Sequence, residues 1–317
     1  MSDEFSIIDA IIKLSKKHCV DQSFLKISPG DDAALLTSLK NPVISTDTQR
    51  ENVHFKTEWQ TPYDIGIKSV AVALSDLAAS FAAPRALFIN LGIPEYITDS
   101  FIYDVYKGIF SGLTDYKCAL GGGNISSASE FSLDIFAIGE GDETVFPLRS
   151  QAKPGYGLYV TGSLGHARCG LDLLKRNCND YPVLIKAFKY PKARFDAAAI
   201  LKEHRVNCVM DLSDGLSGDA EHIAEASDIS IEFSIDDNFL SKDLKHFCNQ
   251  FSLSILETAV AGGEEYELLF ACNHETFQLI NKKLPNAFKV GNCLPFHGKH
   301  ILNPPETCTS YIHNKGV

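Results

Sequence analysis

The sequence predicts an α/β (or α+β) protein built from two domains. Its length of 317 residues exceeds what a single hydrophobic core usually organises. Patterns typical of helices and of strands are mixed throughout both halves of the chain. The segment TVFPLRSQAKPGYG carries two prolines and a Gly-Tyr-Gly turn, so it predicts the junction between domains at 1–147 and 148–317.

The elements of the first half follow from apolar spacing and capping residues. Apolar side chains at helical intervals predict a helix over residues 5–18. A short strand is predicted by NPVISTDT. Thr61 and Pro62 predict the start of a long apolar helix, which Pro84 is expected to end. Another strand, closed by glycines, is predicted by EFSLDIFAIGEG.

The second half repeats the same mixture. A new strand is predicted by LYVTGSLG, and helices are predicted by HARCGLDLLKR and KARFDAAAILKEH. The segment NCVMDLSDGLSGDAEHIAEAS indicates a strand, then a turn and then a helix. A glycine turn followed by a strand is indicated by GGEEYELLFAC. Together these elements predict a second α/β domain.

Charge and cysteine content exclude several classes of protein. The formal net charge is −11, and no basic tract occurs, which argues against nucleic acid and anionic membranes as partners. Nine cysteines occur without a C-x-x-C motif, which predicts a reducing cytoplasm rather than a disulfide scaffold. No stretch is apolar enough to cross a membrane. One cluster fits no zinc spacing: Cys272, His274, Cys293, His297 and His300.

Aspartates occur where an isolated carboxylate is costly. Asp31 belongs to a GDD triplet, a pattern that is typical either of a turn or of a cation site. Asp76 interrupts an apolar helix, where it needs either a cation or a partner such as Lys68 or Arg85. The other members of the set lie at strand ends or at the start of a helix: Asp47 beside the hydroxyls of Ser45 and Thr46, then Asp211 and Asp214.

Hard divalent cations with oxygen ligands explain these five aspartates together, and Mg²⁺ usually binds with substrate phosphates. The SDG turn that begins the next helix is expected to present backbone N–H groups to an anion. The glycines of ALGGGNISSAS are expected to let the backbone approach a phosphate closely. No nucleotide-binding motif of the common folds occurs in the sequence.

Six motifs in this order resemble thiamine-monophosphate kinases, a family of the ATP-dependent superfamily that includes aminoimidazole ribonucleotide synthetase. They are GDDAALL, ISTDTQRENVHF, AVALSDLAA, YVTGSLG, DLSDGLSGDAEHI and GGEEYELLF. The resemblance covers most of the chain. It implies an N-terminal domain that binds ATP and Mg²⁺ and dimerises through its sheet, followed by a C-terminal α/β domain. The implied reaction is ATP-dependent phosphorylation of thiamine monophosphate to thiamine diphosphate, by direct Mg²⁺-assisted transfer.

The resemblance also implies roles for individual residues. The metal ligands correspond to Asp31, Ser45, Thr46, Asp47, Asp76, Asp211 and Asp214. The substrate contacts correspond to His54 and Glu264, with Tyr311 as a guess for the aromatic residue at the thiamine ring. The nucleotide contacts correspond to Arg149 and Ser213, with the glycine segment around Gly123 and Asn124.

Two departures from the family pattern bear on activity. Where the family reads G-G-D-T, this chain has GGGNISSAS, so Asn124 or Gly123 replaces a metal-binding Asp. We favour Asn124, which keeps a side-chain oxygen. Glu265 stands where the family has Asp. Two alternatives stay open: a sister ATP-dependent synthetase, or a nucleotide- and Mg²⁺-binding paralogue with little turnover.

Overall fold

The computed structural model describes residues 4–18 and 21–304. The chain divides into two compact units. The first consists of residues up to Leu77 together with Ala82–Asp142, and the second consists of Ala78–Phe81 together with residues from Glu143 onward. The predicted junction between residues 147 and 148 lies shortly after Asp142. The roles predicted for the two domains stay predictions.

The first unit is a four-stranded sheet with helices and a small hairpin. Its elements are α1 (Glu4–Lys17), β1 (Leu25–Ile27), β2 (Leu35–Leu36), β3 (Pro42–Arg50), α2 (Pro62–Ala79), β4 (Ala83–Ile93), α3 (Asp99–Asp115), β5 (Ala119–Ser127) and β6 (Ser132–Glu140). The sheet has the order β3-β6-β4-β5, and β1 pairs with β2 in a separate hairpin. Strands β4 and β5 are parallel, whereas β6 is antiparallel to both of its neighbours.

Helices α2 and α3 approach each other through two glycines. A Cβ atom on Gly66 would lie 2.0 Å from the carbonyl oxygen of Val105, and one on Gly108 would lie 2.1 Å from that of Tyr63. Both distances are shorter than any van der Waals contact, so only glycine allows this backbone approach. The close packing fixes the position of α2, the helix that carries Asp76.

The two faces of the sheet have different surroundings. On β6, Leu133, Ile135 and Ala137 are fully buried, whereas Phe136, which points to the opposite face, is 41% exposed. In the ladder Ser45 pairs with Ala137, and Thr46 pairs with Phe136. Ser45 and Asp47 therefore lie on the buried face, and Thr46 lies on the opposite, partly open face.

The second unit is an antiparallel five-stranded sheet covered on both faces. Its strands are β7 (Gly157–Val160), β8 (Cys208–Asp211), β9 (Ile229–Phe233), β10 (Leu268–Cys272) and β11 (Phe288–Pro295). Its α-helices are α4 (His166–Lys175), α5 (Pro182–Lys189), α6 (Phe195–Glu203), α7 (Leu216–Ser227), α8 (Lys242–Phe251), α9 (Ile255–Ala261) and α10 (His274–Lys283). The strand order is β8-β10-β7-β11-β9. Alternate residues of β7 and β10 belong to different core clusters, one on each face.

The structure confirms the α/β (α+β) class and most of the predicted elements, but one local prediction is wrong. Helix α2 ends at Ala79 rather than at Pro84, because Phe81 adopts a left-handed φ of 56° and Ala82 N donates back to Leu77 O at 2.9 Å. Pro84 lies inside β4, next to a register shift. The glycine segment ALGGGNISS, to which the sequence analysis assigned no secondary structure, is strand β5.

Candidate active site

In the first unit, strand β3 and helix α2 bring two of the predicted metal ligands into contact. Ser45 Oγ donates a hydrogen bond to Asp76 Oδ2. Asp76 is half-buried within a helix whose neighbouring positions are almost all buried. The hydroxyl stabilises the carboxylate without neutralising its charge. The pair therefore leaves a negative charge beside Asp47, two residues further along β3.

The cationic partners proposed for Asp76 occupy other positions. Arg85 makes a salt bridge of 2.8 Å with Glu140 and stacks on Phe24. Lys68 is buried in α2, eight positions before Asp76, which corresponds to about 12 Å along a helix. The immediate partner of the Asp76 carboxylate is the Ser45 hydroxyl.

Two other predicted ligands of the first unit are set apart from this contact. Asp31 is exposed in the connection between β1 and β2, and its Oδ1 accepts a hydrogen bond of 2.9 Å from Asp32 N. The side chain of Thr46 lies on the face of the sheet opposite to Ser45. The GDD segment therefore forms a turn, which is one of the two structures that the sequence allowed. Its role in cation binding stays a prediction.

His54 lies in a tight loop directly after β3. The imidazole Nδ1 of His54 accepts a hydrogen bond of 3.1 Å from the backbone N–H of Arg50. The backbone N–H of His54 donates to the carbonyl oxygen of Arg50 at 2.9 Å. Because Nδ1 is an acceptor, the neutral ring carries its proton on Nε2. The local backbone therefore fixes both the orientation and the tautomer of this imidazole.

Asn124 belongs to a polar row that crosses the four strands. It pairs with Asn90 on β4, which pairs with Asp134 on β6, which in turn pairs with Thr48 on β3. Thr48 Oγ1 donates to Asp134 Oδ1 at 2.8 Å. The sequence analysis did not single out Asp134, although its position between apolar neighbours in SLDIF was a usable signal.

The adjacent glycine cannot carry a ligand. A Cβ atom on Gly123 would lie 1.8 Å from the carbonyl oxygen of Ile89. A side chain at position 123 would therefore require the two strands to separate. Of the two positions that could replace the family's Asp, only Asn124 has room for a side chain in this backbone.

In the second unit, two segments pair along their backbones and gather four predicted residues. Glu264 N donates to Ser213 O at 2.7 Å, and Tyr266 N donates to Leu212 O at 2.8 Å. Leu212 N in turn donates to Glu267 O at 2.8 Å. Asp211 and Asp214 flank the first segment, so the structure places Asp211, Ser213, Asp214 and Glu264 in one region.

The pairing forces an uncommon backbone on the segment GGEEYE. Glu264 and Tyr266 have φ values of 63° and 51°, a region that residues with a Cβ adopt at a cost of about 1–2 kcal/mol each. The hydrogen bonds to residues 212 and 213 hold this conformation. Such local strain is common at functional sites, which agrees with the substrate contact predicted at Glu264.

Asp219, which the sequence analysis left without a role, organises the SDG turn. It is 1% exposed, and its Oδ2 accepts hydrogen bonds from Ser213 N, Asp214 N and Gly215 N at 3.1, 3.3 and 3.2 Å. A carboxylate of the chain therefore already binds these three N–H groups, and the expectation that the start of α7 presents N–H groups to an anion stays a prediction. The sequence signal that could have indicated this role is an Asp four residues after the glycine of the turn.

Three carboxylates are crowded around this turn. The pKa of Asp219 is raised to about 8. Burial is the main cause, and the nearby charges of Asp211 and Asp214 add to it. The backbone N–H groups of Asp214 and Gly215 lower the pKa but do not compensate for burial. This local excess of negative charge is what a bound cation would relieve.

Two further glutamates of the same segment have structural partners. Glu265 Oε1 accepts a hydrogen bond of 3.0 Å from Ala167 N, at the N-terminus of α4, and burial raises its pKa well above the usual range. Glu267 accepts from Arg194 and, at 2.6 Å, from Thr161 Oγ1. Burial raises the pKa of Glu267 despite the guanidinium. Both acids therefore stabilise the loops around β7 rather than forming an open site.

The remaining predicted site residues are dispersed. The side chain of Arg149 is exposed, and its carbonyl oxygen accepts from Ser227 Oγ at 2.9 Å. Tyr311 lies outside the described residues. Within residues 4–18 and 21–304 no group of three or more His, Cys, Asp or Glu side chains could hold a metal ion. None of the helices described has the length and hydropathy needed to cross a bilayer.

Comparison with known proteins assigns the chain to a family. Residues 30–140 match the family described as AIR synthase related protein, N-terminal domain. The thiamine-monophosphate kinase of Aquifex aeolicus (strain VF5) is 34% identical over 272 residues, which span 84% of this chain and 85% of that protein. The chain belongs to the thiamine-monophosphate kinase family. The resemblance predicted from the six motifs is thereby confirmed.

Solved structures of the thiamine-monophosphate kinase family share the whole fold. The enzyme from Stenotrophomonas maltophilia K279a has a TM-score of 0.80 at 28% identity, covering 94% of this chain and 95% of that chain. AaThiL complexed with AMPPCP and TMP has a TM-score of 0.77 at 30% identity, covering 97% of both chains. The similarity therefore extends over both units of this family member.

The SDG turn of this thiamine-monophosphate kinase family member should depend on Asp219. Replacement of Asp219 by Ala leaves three N–H groups without their acceptor, so the free energy of unfolding should fall by about 3 kcal/mol. Urea unfolding followed by circular dichroism measures the change. Glu221→Ala, on the exposed face of the same helix, is the control and should change stability little. Equal stability of the two variants would contradict the role assigned to Asp219.

Proposed function

We propose that this chain transfers the γ-phosphoryl group of ATP to thiamine monophosphate, forming thiamine diphosphate and ADP. A phosphate oxygen of thiamine monophosphate forms a bond to the γ-phosphorus, and the bond from that phosphorus to the β-bridging oxygen breaks. The observation that carries the proposal is the similarity, over 97% of each chain, to AaThiL complexed with TMP and the ATP analogue AMPPCP.

The chemistry of the available side chains fits Mg²⁺. Hydroxyl and carboxylate oxygens are hard ligands, and Mg²⁺ in phosphoryl-transfer sites takes only one or two protein carboxylates beside phosphate oxygens and water. We assign Ser45, Asp47 and Asp76 to this role in the first unit, and Asp211 and Asp214 in the second. The crowding of Asp211 and Asp214 around the turn that Asp219 holds supports the second assignment, since their charges add to the effect of burial in raising the pKa of Asp219. When bound, Mg²⁺ neutralises the phosphates and stabilises the charge of the transferred group.

The protein side chains bind and orient the two substrates. We assign Arg149 and Ser213 to the nucleotide, and His54 and Glu264 to thiamine monophosphate. The acceptor oxygen is already negatively charged near pH 7, since the second pKa of a phosphate monoester is about 6. No side chain is then needed as a strong general base, so orientation of two anions is the main task of the protein.

One observation favours a second candidate function. The resemblance places Asn124 where the family has a metal-binding Asp, so one cation site would have lost a charge. A protein that binds nucleotide and Mg²⁺ with little turnover would tolerate this loss. ADP release with thiamine monophosphate and ATP separates the two functions, because the paralogue would bind both substrates without releasing ADP at a useful rate.

We propose a cytoplasmic location. The cysteines at seven described positions are free, namely Cys118, Cys169, Cys178, Cys208, Cys248, Cys272 and Cys293. Six of them are buried. Buried thiols of this kind are typical of proteins that fold under reducing conditions.

We also propose a homodimer formed through the open face of the first sheet. Ile44 is 66% exposed and pairs across the ladder with Ile138, beside the exposed Phe136. Exposed apolar side chains in adjacent positions on one face favour a protein partner, and a second copy would cover them. The hairpin of β1 and β2 packs on another part of this face, where Leu25 contacts the cluster of Ala86 and Ala119.

Light scattering should therefore report a mass of about twice 34.8 kDa at micromolar concentration. The double variant Ile44→Asp, Phe136→Asp should shift the mass to that of a single chain, because charged residues oppose burial of the face. Leu279→Asp changes an equally exposed apolar residue of the second unit and should leave the dimer intact. A monomeric wild type, or a dimer that survives the double change, would contradict the interface.

Asp76→Asn should abolish phosphoryl transfer while leaving the fold intact. The amide keeps the shape of the side chain but removes the charge proposed to bind Mg²⁺, so ADP release with thiamine monophosphate should fall by about a hundredfold or more. A coupled ADP assay measures the rate, and circular dichroism checks the fold. Asp115→Asn, an exposed position at the end of α3, is the control. Near-normal turnover of Asp76→Asn at saturating Mg²⁺ would refute the assignment.

Asn124→Asp should lower the Mg²⁺ concentration required for half-maximal activity. A carboxylate is a stronger Mg²⁺ ligand than an amide oxygen, so the added charge should restore the weakened site. The measurement is activity against Mg²⁺ concentration. Ser127→Asp adds the same charge to an exposed position of β5 and should leave the midpoint unchanged. An unchanged midpoint in Asn124→Asp would mean that this row does not hold metal.

A further inference from the structure

The loop that follows β3 closes around His54 through its own backbone. Asn52 N donates to Phe55 O at 2.8 Å, and Asn52 adopts a left-handed φ of 65°. Together with the two bonds between Arg50 and His54, this contact makes residues 50–57 a compact unit. The orientation of the imidazole therefore depends on the conformation of the whole loop.

The side chain that ties this loop to its surroundings is Glu51. Glu51 is 7% exposed. Its Oε1 accepts a hydrogen bond of 3.2 Å from Thr57 Oγ1, at the far end of the loop. Oε2 accepts from the hydroxyl of Tyr96 and, at 3.4 Å, from Phe131 N. One carboxylate thus links the loop to the segment after β4 and to the residue that precedes β6.

The bond from Tyr96 shows how this carboxylate interacts. Donation to Glu51 raises the pKa of the Tyr96 hydroxyl to about 12, with smaller contributions from burial and from the charge of Glu51. Hydrogen bonds to a buried carboxylate are stronger than bonds between neutral groups, and removing the acceptor leaves the donors unsatisfied. These three donors converge on the Glu51 carboxylate, which adds to the backbone bond of 2.9 Å from Glu51 N to Phe131 O and to the burial of Phe55 in attaching the loop.

We propose that Glu51 is a positioning residue that holds residues 50–57 so that His54 meets thiamine monophosphate in one fixed orientation. The inference rests on the proposed function, in which His54 contacts that substrate. The described partners of the Glu51 carboxylate are Thr57, Tyr96 and Phe131, so we assign it no chemical role. A preorganised loop lowers the entropy lost on binding, so its effect falls on the affinity for one substrate rather than on the chemical step.

Steady-state kinetics of Glu51→Gln separates these effects. The amide turns one acceptor into a donor, which faces another donor in the network, so the loop should loosen. The KM for thiamine monophosphate should rise about tenfold, whereas the KM for ATP and kcat should stay within about twofold. Glu95→Gln makes the same chemical change at an exposed neighbour of Tyr96, and its kinetics should match those of the wild type.

A second measurement reads the imidazole directly. In protein labelled with ¹⁵N-histidine, the His54 resonances, assigned with His54→Gln, should report the tautomer protonated on Nε2 in the wild type. In Glu51→Gln the same resonances should shift toward a mixture of tautomers. Tyr96→Phe removes only one donor, so it should fold normally and raise the same KM by about threefold.

The outcomes are distinguishable. Unchanged KM and unchanged His54 resonances in Glu51→Gln would overturn the positioning role. Equal losses for both substrates, or a loss confined to kcat, would also overturn it. Failure of the wild type to release ADP with thiamine monophosphate would instead overturn the proposed function, and the resonances would still decide whether Glu51 holds the ring.

Discussion

Carboxylates withdrawn from water and placed near one another are the feature on which most of the described polar structure depends. Each unit compensates them differently. Asp219 is bound by three backbone N–H groups, Glu267 by the guanidinium of Arg194, and Glu51 by two hydroxyls and an N–H group. Where compensation is incomplete, as at Asp219, burial and the neighbouring carboxylates raise the pKa of the acid.

Backbone geometry, more than side-chain packing, brings the predicted residues of the second unit together. The segment after β8 and the segment before β10 pair at an angle that requires left-handed φ values at Glu264 and Tyr266. These two conformations are unfavourable alone and are stabilised by hydrogen bonds to residues 212 and 213. The position of Glu264 relative to Asp214 is therefore set by a strained but well-bonded backbone, which limits the motion of both side chains.

The two faces of the first sheet carry different kinds of side chain. The face covered by helices carries Ser45 and Asp47, with Asp76 supplied by α2. The opposite face carries exposed apolar residues suited to a second copy of the chain. At the edge of the sheet, the glycines of β5 allow contact with Phe88 and Ile89, and Asn124 continues the polar row on the open face. The predicted departure from the family pattern at Asn124 therefore lies within an intact strand.

The sequence by itself determined the α/β class and the family, and it predicted the functional residues by motif, because periodicity, capping residues and acidic motifs are local signals. It did not reveal that β5 is a strand, since three consecutive glycines look like a turn when the ring of Phe88 that covers them is unknown. It did not reveal the role of Asp219 or Glu51 either. Their partners are backbone N–H groups and hydroxyls whose availability is decided by tertiary folding, and a carboxylate in the sequence gives no sign of which donors will converge on it.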